Sequence, residues 1–229
     1  MRFLTVILTI GISCAPLLAK DEKSKTDERL ADSASLFSEV MGTPDKAIPQ
    51  KLLDKSVCIV LVPGLKKGAF LVGGKFGRGF AVCRAANGTG WGAPAAIRIE
   101  GGSVGFQIGA SSTDVILLIM NERGMKRLET SKFTIGGEAT AALGPVGRDA
   151  TAQTDALLMA EILSWSRSRG LFAGVSLDGA TLRNDIDENQ IMYGQRWDNK
   201  QILTSGAKPP AAAAKVLSSL NKYSPRQTK

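Results

Sequence analysis

The sequence contains no histidine. That removes Ser-His and Cys-His nucleophilic pairs and every histidine-ligated metal site. Cysteine is nearly as scarce. Cys14, Cys58 and Cys83 are the whole complement, too few for a four-thiolate zinc centre. Aromatic residues make up only 6% of the chain and are not interleaved with its basic positions. A stacking platform for single-stranded nucleic acid needs that interleaving, so nucleic acid is not an expected partner. No apolar run is long enough to span a bilayer, and no transmembrane helix is expected beyond residue 19. The stretch GGKFGRG tempts one toward a phosphate loop, but Ala69 stands where that pattern needs glycine and Phe76 follows Lys75 where it needs Ser or Thr. The carboxylates are not grouped as metal ligands are. An Asp-Glu acid–base pair stays open, because sequence does not place carboxylates in space. With no nucleophile–base constellation, the expectation is a protein without catalysis, cofactor or metal.

What the chain has is positive charge. Lys and Arg total 29 against 21 Asp and Glu, a formal net charge of +8. Lipid headgroups, nucleic acids and acidic polymers are the partners such a field attracts. Residues 1–19 read as a secretory signal: Arg2 supplies a charged end, and residues 3–12 form an apolar stretch of the right length. Cleavage after Ala19 is favoured. The rival is lipidation at Cys14, but Gly11 occupies a position where a lipobox wants a bulky apolar residue. The expected location is therefore exported, periplasmic or secreted. Cleavage at Ala19 would leave Cys58 and Cys83, both in strand-like runs (SVCIVLV and FAVCRA). An oxidising compartment permits a bridge between them. Two small buried apolar residues is the favoured reading, given the strict geometry of a disulfide.

Residues 27–41 carry helical spacing, with Leu30, Ala34, Phe37 and Met41 on one stripe. The opposite face holds Asp27, Glu28, Asp32 and Glu39, which an anionic membrane would repel. A helix packed on the domain is the expectation. Pro49 suits the first turn of a short helix anchored by Leu52 and Leu53. Residues 57–62 read as a buried strand ended by Pro63-Gly64, with Lys66 and Lys67 in the following turn. Ile97 and Ile99 alternate with Arg98 and Glu100, and Gly101-Gly102 would supply the turn of a hairpin returning through Val104, Phe106 and Ile108. Asn121 caps a helix over 122–130, while residues 154–165 fit either a helix, through Leu158, Ile162 and Trp165, or a strand end, through Leu163 and Trp165. Asn184 opens a helix closed by Gly194. Residues 211–220 form a last helix, and 221–229 a loose basic tail.

The string GWGAPAAIRI…GFQIGASSTDVILLIMN resembles the signature of the SYLF domain family, named for lipid-binding and yeast actin-patch proteins. GGEATAALGPVGRDA (136–150) and SRSRGLFAGVSLDGATL (166–182) fit the same family in the same order. The resemblance covers about residues 47–206. It divides the chain into a signal (1–19), an N-terminal helical segment (20–46), the SYLF-like domain (47–206) and a C-terminal helix with basic tail (207–229). The fold expected is α+β: a curved antiparallel β-sheet or barrel-like core edged by short helices.

The resemblance implies a lipid-binding module, since SYLF proteins of eukaryotes bind phosphoinositides and, in yeast, actin. The expected partners are anionic phospholipids of a bacterial envelope. The candidate headgroup contacts are Lys66, Lys67, Lys75, Arg78, Arg84, Arg167 and Arg169, where arginine can grip a phosphate bidentately and lysine acts as a point charge. Two other readings remain: an envelope scaffold with a protein partner, and a carrier holding a whole lipid in a β-barrel cavity.

Overall fold

The computed structural model describes residues 15–43, 47–70, 72–86, 89–104, 109–146, 159–168, 171–172, 177 and 179–226. Nine strands form one sheet among these residues: β1 (Cys58–Phe70), β2 (Val72–Cys83), β3 (Ala95–Val104), β4 (Gly109–Ile119), β5 (Lys132–Thr134), β6 (Ala141–Leu143), β7 (Ile162–Ser168), β8 (Leu171–Phe172) and β9 (Thr181–Asn184). Their spatial order is β5-β9-β3-β2-β1-β4-β7-β6, with β8 beside β7. All pairs are antiparallel except β6 with β7.

Connectivity forces this sheet to curl. Laid flat, the first and eighth strands of the order would stand about 34 Å apart, seven spacings of roughly 4.8 Å. Yet β5 and β6 are joined by residues 135–140 alone, and seven extended steps reach about 25 Å at most. The edges must turn toward each other. The link is itself hydrogen bonded to both sides: Ile135 N–H donates to Ala180 at the β9 edge, while Glu161 and Ile162 N–H donate to Thr140 at the β7 edge.

The curl separates two apolar cores. Within β1, Ile59 and Leu61 face outward under the helices, while Cys58, Val60 and Val62 face the interior. Side chains alternate along a strand, so burial on both faces requires a continuous apolar run. The interior gathers Ile97, Leu117, Phe133, Ile162 and Leu182 from strands across the whole sheet.

The outer core lies beneath the helix α1 (Ala15–Gly42). Leu30 and Phe37 are fully buried there and Val40 nearly so. Burying a side chain of this size stabilises by about 2–3 kcal/mol. The amphipathic segment is thus a helix packed on the domain. Three short helices follow: α2 (Gln50–Lys55), α3 (Glu122–Glu129) and α4 (Ile186–Tyr193). Asn121 caps α3 by accepting from Gly124 N–H, and Gly194 closes α4 in the left-handed region at φ 71°. The chain ends in α5 (Asn199–Thr204) and α6 (Ala214–Tyr223), α6 being entered through a single 3-10 turn. α6 packs against α1, with Phe37 edge-on to Tyr223 at 5.8 Å between ring centroids.

Four expectations are corrected. Gly101-Gly102 is not a turn: both lie within β3, and β3 does not pair with β4. Gly101 is needed for space, since a Cβ there would lie 3.2 Å from the Ala180 backbone. Phe106 and Ile108, the return strand of that hairpin, lie outside the described residues. Pro63-Gly64 does not end β1 but interrupts it as an irregularity, with Gly64 at φ 65° and its N–H donating to Asp114 at 3.0 Å. Lys66 and Lys67 accordingly sit in β1, not in a turn. The tail also departs from expectation. Residues 221–223 belong to α6, Ser224 is fully buried, and Arg226 bridges to Thr89. Finally, Cys58 and Cys83 are register partners on β1 and β2, and their sulfurs are bonded, so the favoured reading of two separate thiols gives way to the bridge.

Candidate functional site

The six described candidate cations fall into distinct environments. Arg84 is buried among main-chain carbonyls. Its guanidinium donates to Ser224 O at 2.6 Å, Leu53 O at 3.0 Å and Ser56 O at 3.3 Å, and it stacks 3.8 Å from the Trp91 ring centroid. Trp91 Nε1 donates to the same Ser224 carbonyl at 2.9 Å. Burial pulls the group down to about 10, with the charge of Asp54 acting against that shift. Arg84 therefore stays protonated at neutral pH, but it is spent on holding the C-terminal segment to β2.

Arg78 is paired with the buried carboxylate of Asp185 at 3.1 Å. Arg167 reaches Glu39 of α1 and Asp114 of β4, the latter at 2.9 Å. Burial opposes its charge, but the hydrogen bonds to Glu39 and Asp114 outweigh burial and raise its pKa. Arg169 lies outside the described residues.

Lys66, Lys67 and Lys75 remain, all on the far arm of the β1–β2 hairpin. Lys66 pairs in register with Phe76, and Lys67 with Lys75. Among the described residues no carboxylate forms an ion pair with Lys66 or Lys67. Lys66 is exposed, and Phe76 beside it is 47% exposed, a large apolar side chain left in solvent. Two residues farther out, Gly68, Gly74 and Gly102 lie side by side on three adjacent strands. A Cβ at any of the three would meet nothing within 4 Å. At this rung the outer face is thus bare backbone, edged by a cation and a phenyl ring.

Register also assembles a row that sequence reading missed. Arg78, Arg98, Arg183 and Lys132 are successive partners across β2, β3, β9 and β5. Like charges opposed across strands repel, and carboxylates interleave to offset this. Glu100 pairs with Arg98 at 2.9 Å and Arg183 at 3.1 Å, and Asp185 answers Arg78. No single strand carries more than one member of the row, so only strand order reveals it. Asp185 also neighbours Glu188, whose side chain is 1% exposed and ion-paired to Arg29 of α1. Burial raises Glu188 above the usual glutamate value. The Asp185 charge adds to that rise, and Arg29 limits it. No group of three or more metal-ligating side chains occurs among the described residues. No helix among them is long and apolar enough to cross a membrane.

Comparison with known proteins supplies the class. The Ysc84 family model, described as "Las17-binding protein actin regulator", matches residues 100–223. Protein YSC84 of Saccharomyces cerevisiae is 34% identical over 176 residues, covering 76% of this chain and 37% of the yeast protein. LAS seventeen-binding protein 3 of the same yeast is 33% identical over 200 residues, 86% of this chain and 43% of that one. The human SH3 domain-containing YSC84-like protein 1 is 32% identical over 209 residues, 91% of this chain and 60% of its own length. The chain spans about half the length of the curated relatives it matches.

Proposed function

The chain belongs to the Ysc84 (SYLF) family, and from that premise we propose that it binds anionic phospholipid headgroups, without catalysis, through the far arm of its β1–β2 hairpin. We place this activity at the bacterial cell envelope, where an exported protein would meet acidic lipids. One observation carries the reading. The arginines among the described candidates are answered by carboxylates or carbonyls, whereas Lys66 stands exposed beside an exposed Phe76. A cation next to an aromatic ring on an uncovered surface suits a membrane boundary. The ammonium meets phosphate while the ring enters the apolar margin.

Vesicle co-sedimentation of the purified protein tests it. Pelleting with vesicles rich in phosphatidylglycerol, weakened by salt and by Lys66→Glu, is expected, with little pelleting on neutral vesicles. No pelleting on any anionic vesicle at low salt would overturn the proposal.

A second reading is favoured by the bare row of Gly68, Gly74 and Gly102, which lets a partner approach the backbone closely. One relative, LAS seventeen-binding protein 3, is named for binding a protein, and the family model's description names Las17 binding as well. Under this reading the chain is an envelope scaffold, and capture of its partner would be unaffected by Lys66→Glu. The carrier reading is disfavoured by packing. Val60, Ile97, Ile99 and Leu117 are fully buried and fill the described interior, where an acyl chain would need room.

A further inference from the structure

The cationic row of the outer face ends in a cavity. Arg98, Arg183 and Lys132 are successive register partners on β3, β9 and β5. One rung along the same face, Phe76, Glu100, Thr181 and Thr134 are partners across β2, β3, β9 and β5. Side chains two apart on a strand share a face, so the two rungs form one polar surface. At its β9–β5 end this surface sinks into a cavity of about 410 Å³, the size of a small-ligand site. Gly101 and Gly102 supply part of the wall as bare backbone, and a Cβ on Gly102 would meet nothing within 4 Å.

The side chains around the cavity carry both signs. Arg183 donates to one oxygen of Glu100 at 3.1 Å, and Arg98 pairs with the other at 2.9 Å. Glu138 gives one oxygen to the Thr134 N–H at 2.8 Å. Lys132 is exposed and has no ion pair among the described residues. The hydroxyls of Thr134 and Thr181, also in the wall, make no hydrogen bond among them either. Three cations, Arg98, Arg183 and Lys132, thus stand against two carboxylates, and the charge left over is that of Lys132.

This balance sorts ligand classes. A simple cation is repelled by Lys132 and Arg183. A bare anion answers Lys132 but offers Glu138 no donor. A phosphate monoester is close to a dianion at neutral pH, twice the charge left over in the wall. One negative charge together with several hydroxyls meets every demand. A hydroxyl both donates and accepts, so neighbouring hydroxyls can donate to Glu138 and pair with Thr134 and Thr181. A carboxylate then takes Lys132 and the remaining N–H groups of Arg183. Phe76 adds an apolar platform. It is the register partner of Glu100 and 47% exposed, a ring on which the C–H face of a sugar can lie.

We infer that the cavity binds an acidic saccharide, with a hexuronate unit on Lys132, Arg183, Thr134, Thr181 and Glu138 and the rest of the sugar chain running toward Phe76. Its charged groups do not include Lys66, and binding in solution needs no membrane, so this site stands or falls apart from the headgroup reading.

The test is titration calorimetry with amide chemical-shift mapping on the full chain, without vesicles. The probes are glucuronate, glucose, acetate, inositol 1-phosphate, galacturonate and its trimer. Glucuronate is expected to bind about tenfold more tightly than glucose or acetate, the size of one charge-assisted hydrogen bond gained, with shifts centred on Lys132, Thr134 and Thr181. Lys132→Gln should bring glucuronate down to the affinity of glucose. Thr181→Val should weaken both sugars at an unchanged urea midpoint. Lys66→Gln should change none of these. The trimer should bind more tightly than galacturonate, and Phe76→Ala should remove that gain.

No glucuronate binding at millimolar concentration would overturn the inference, as would glucuronate binding that Lys132→Gln leaves intact. Acetate binding as tightly as glucuronate would reduce the cavity to a simple anion site, and tighter binding of inositol 1-phosphate would make it a phosphate site; either result refutes the saccharide. Equal binding of galacturonate and its trimer would refute the extension toward Phe76. Pelleting with anionic vesicles in the absence of sugar binding would leave the headgroup reading standing alone.

Discussion

Arg84 is the sharpest place to separate holding the fold from holding a ligand. Consider Arg84→Ala. The side chain leaves three carbonyls, but two keep other donors: Leu53 O retains Ser56 N–H and Oγ, and Ser224 O retains Trp91 Nε1. Ser56 O loses the Arg84 Nε donor, a long contact of 3.3 Å. The hydrogen-bond loss is therefore about 1–2 kcal/mol. The stacking on Trp91 adds roughly 1 kcal/mol. The buried aliphatic stem adds about 1–2 kcal/mol more. Removing a desolvated cation returns part of this sum, so a net loss of about 3 kcal/mol is expected. For a chain of this size that lowers the melting temperature by about 6–10 °C. Urea titration should show a lower midpoint at an unchanged slope, and amide exchange should speed up first at Gly90 and Ser224, which the C-terminal segment protects. Arg84→Met keeps the stem and loses the fork, and should cost about half as much. Vesicle binding by the folded fraction should be unchanged in both. A stability loss under about 1 kcal/mol would refute the latch, and a folded Arg84→Met that no longer binds vesicles would return Arg84 to the headgroup site.

Three further outcomes can be checked on the same material. Gly79→Ala puts a Cβ 2.0 Å from the Leu61 carbonyl of the neighbouring strand, so it should cost more than about 3 kcal/mol or prevent folding, whereas Gly68→Ala, with nothing within 4 Å, should be near neutral by urea midpoint. The folded-state pKa of Glu188 is raised, so the folded protein binds more protons than the unfolded chain between the ordinary glutamate value and the raised one. Stability from this group must fall as pH rises through that window, and Glu188→Gln should flatten the slope in a pH series of denaturant titrations. Replacing both bonded cysteines with alanine releases a link between residues 25 apart and should lower stability by about 3 kcal/mol, read against the oxidised parent.

The sequence foretold local features well and pairings poorly, and the division is physical. The Asn121 cap and the Gly194 terminator depend on a few neighbouring residues and stand where expected. Pro49 is the cap of its helix rather than part of its first turn, and Asp185, not Asn184, caps the helix that Gly194 closes. The stripe of Leu30, Phe37 and Met41 is buried as expected. Gly101-Gly102 failed because glycine serves two needs. It supplies turns, and it clears space; here Ala180, some eighty residues away, sets the need. Pro63-Gly64 failed because Asp114 on another strand accepts the Gly64 N–H and carries β1 past an apparent stop. The cationic row from Arg78 to Lys132 was invisible for the same reason, since each member comes from a different strand. The bridge between Cys58 and Cys83 needed the register of the first hairpin, which no spacing rule supplies.

Net charge alone does not separate the candidate cations. Of the candidates, Arg78, Arg84 and Arg167 have the stronger chemistry for gripping phosphate, yet each faces a carboxylate or a set of carbonyls that occupies its donors. To recruit any of them a ligand would have to displace a carboxylate or carbonyl already in place. The lysines of the β1–β2 arm face no such competitor at Lys66, and their positions follow from alternation: one step along β1 changes a side chain from the outer face to the mouth of the curl. Adjacent residues thus meet different surroundings, open solvent outside and the mouth of the curl within. Moving either lysine by one position would exchange these environments, so charge conserved at the wrong parity should not restore binding.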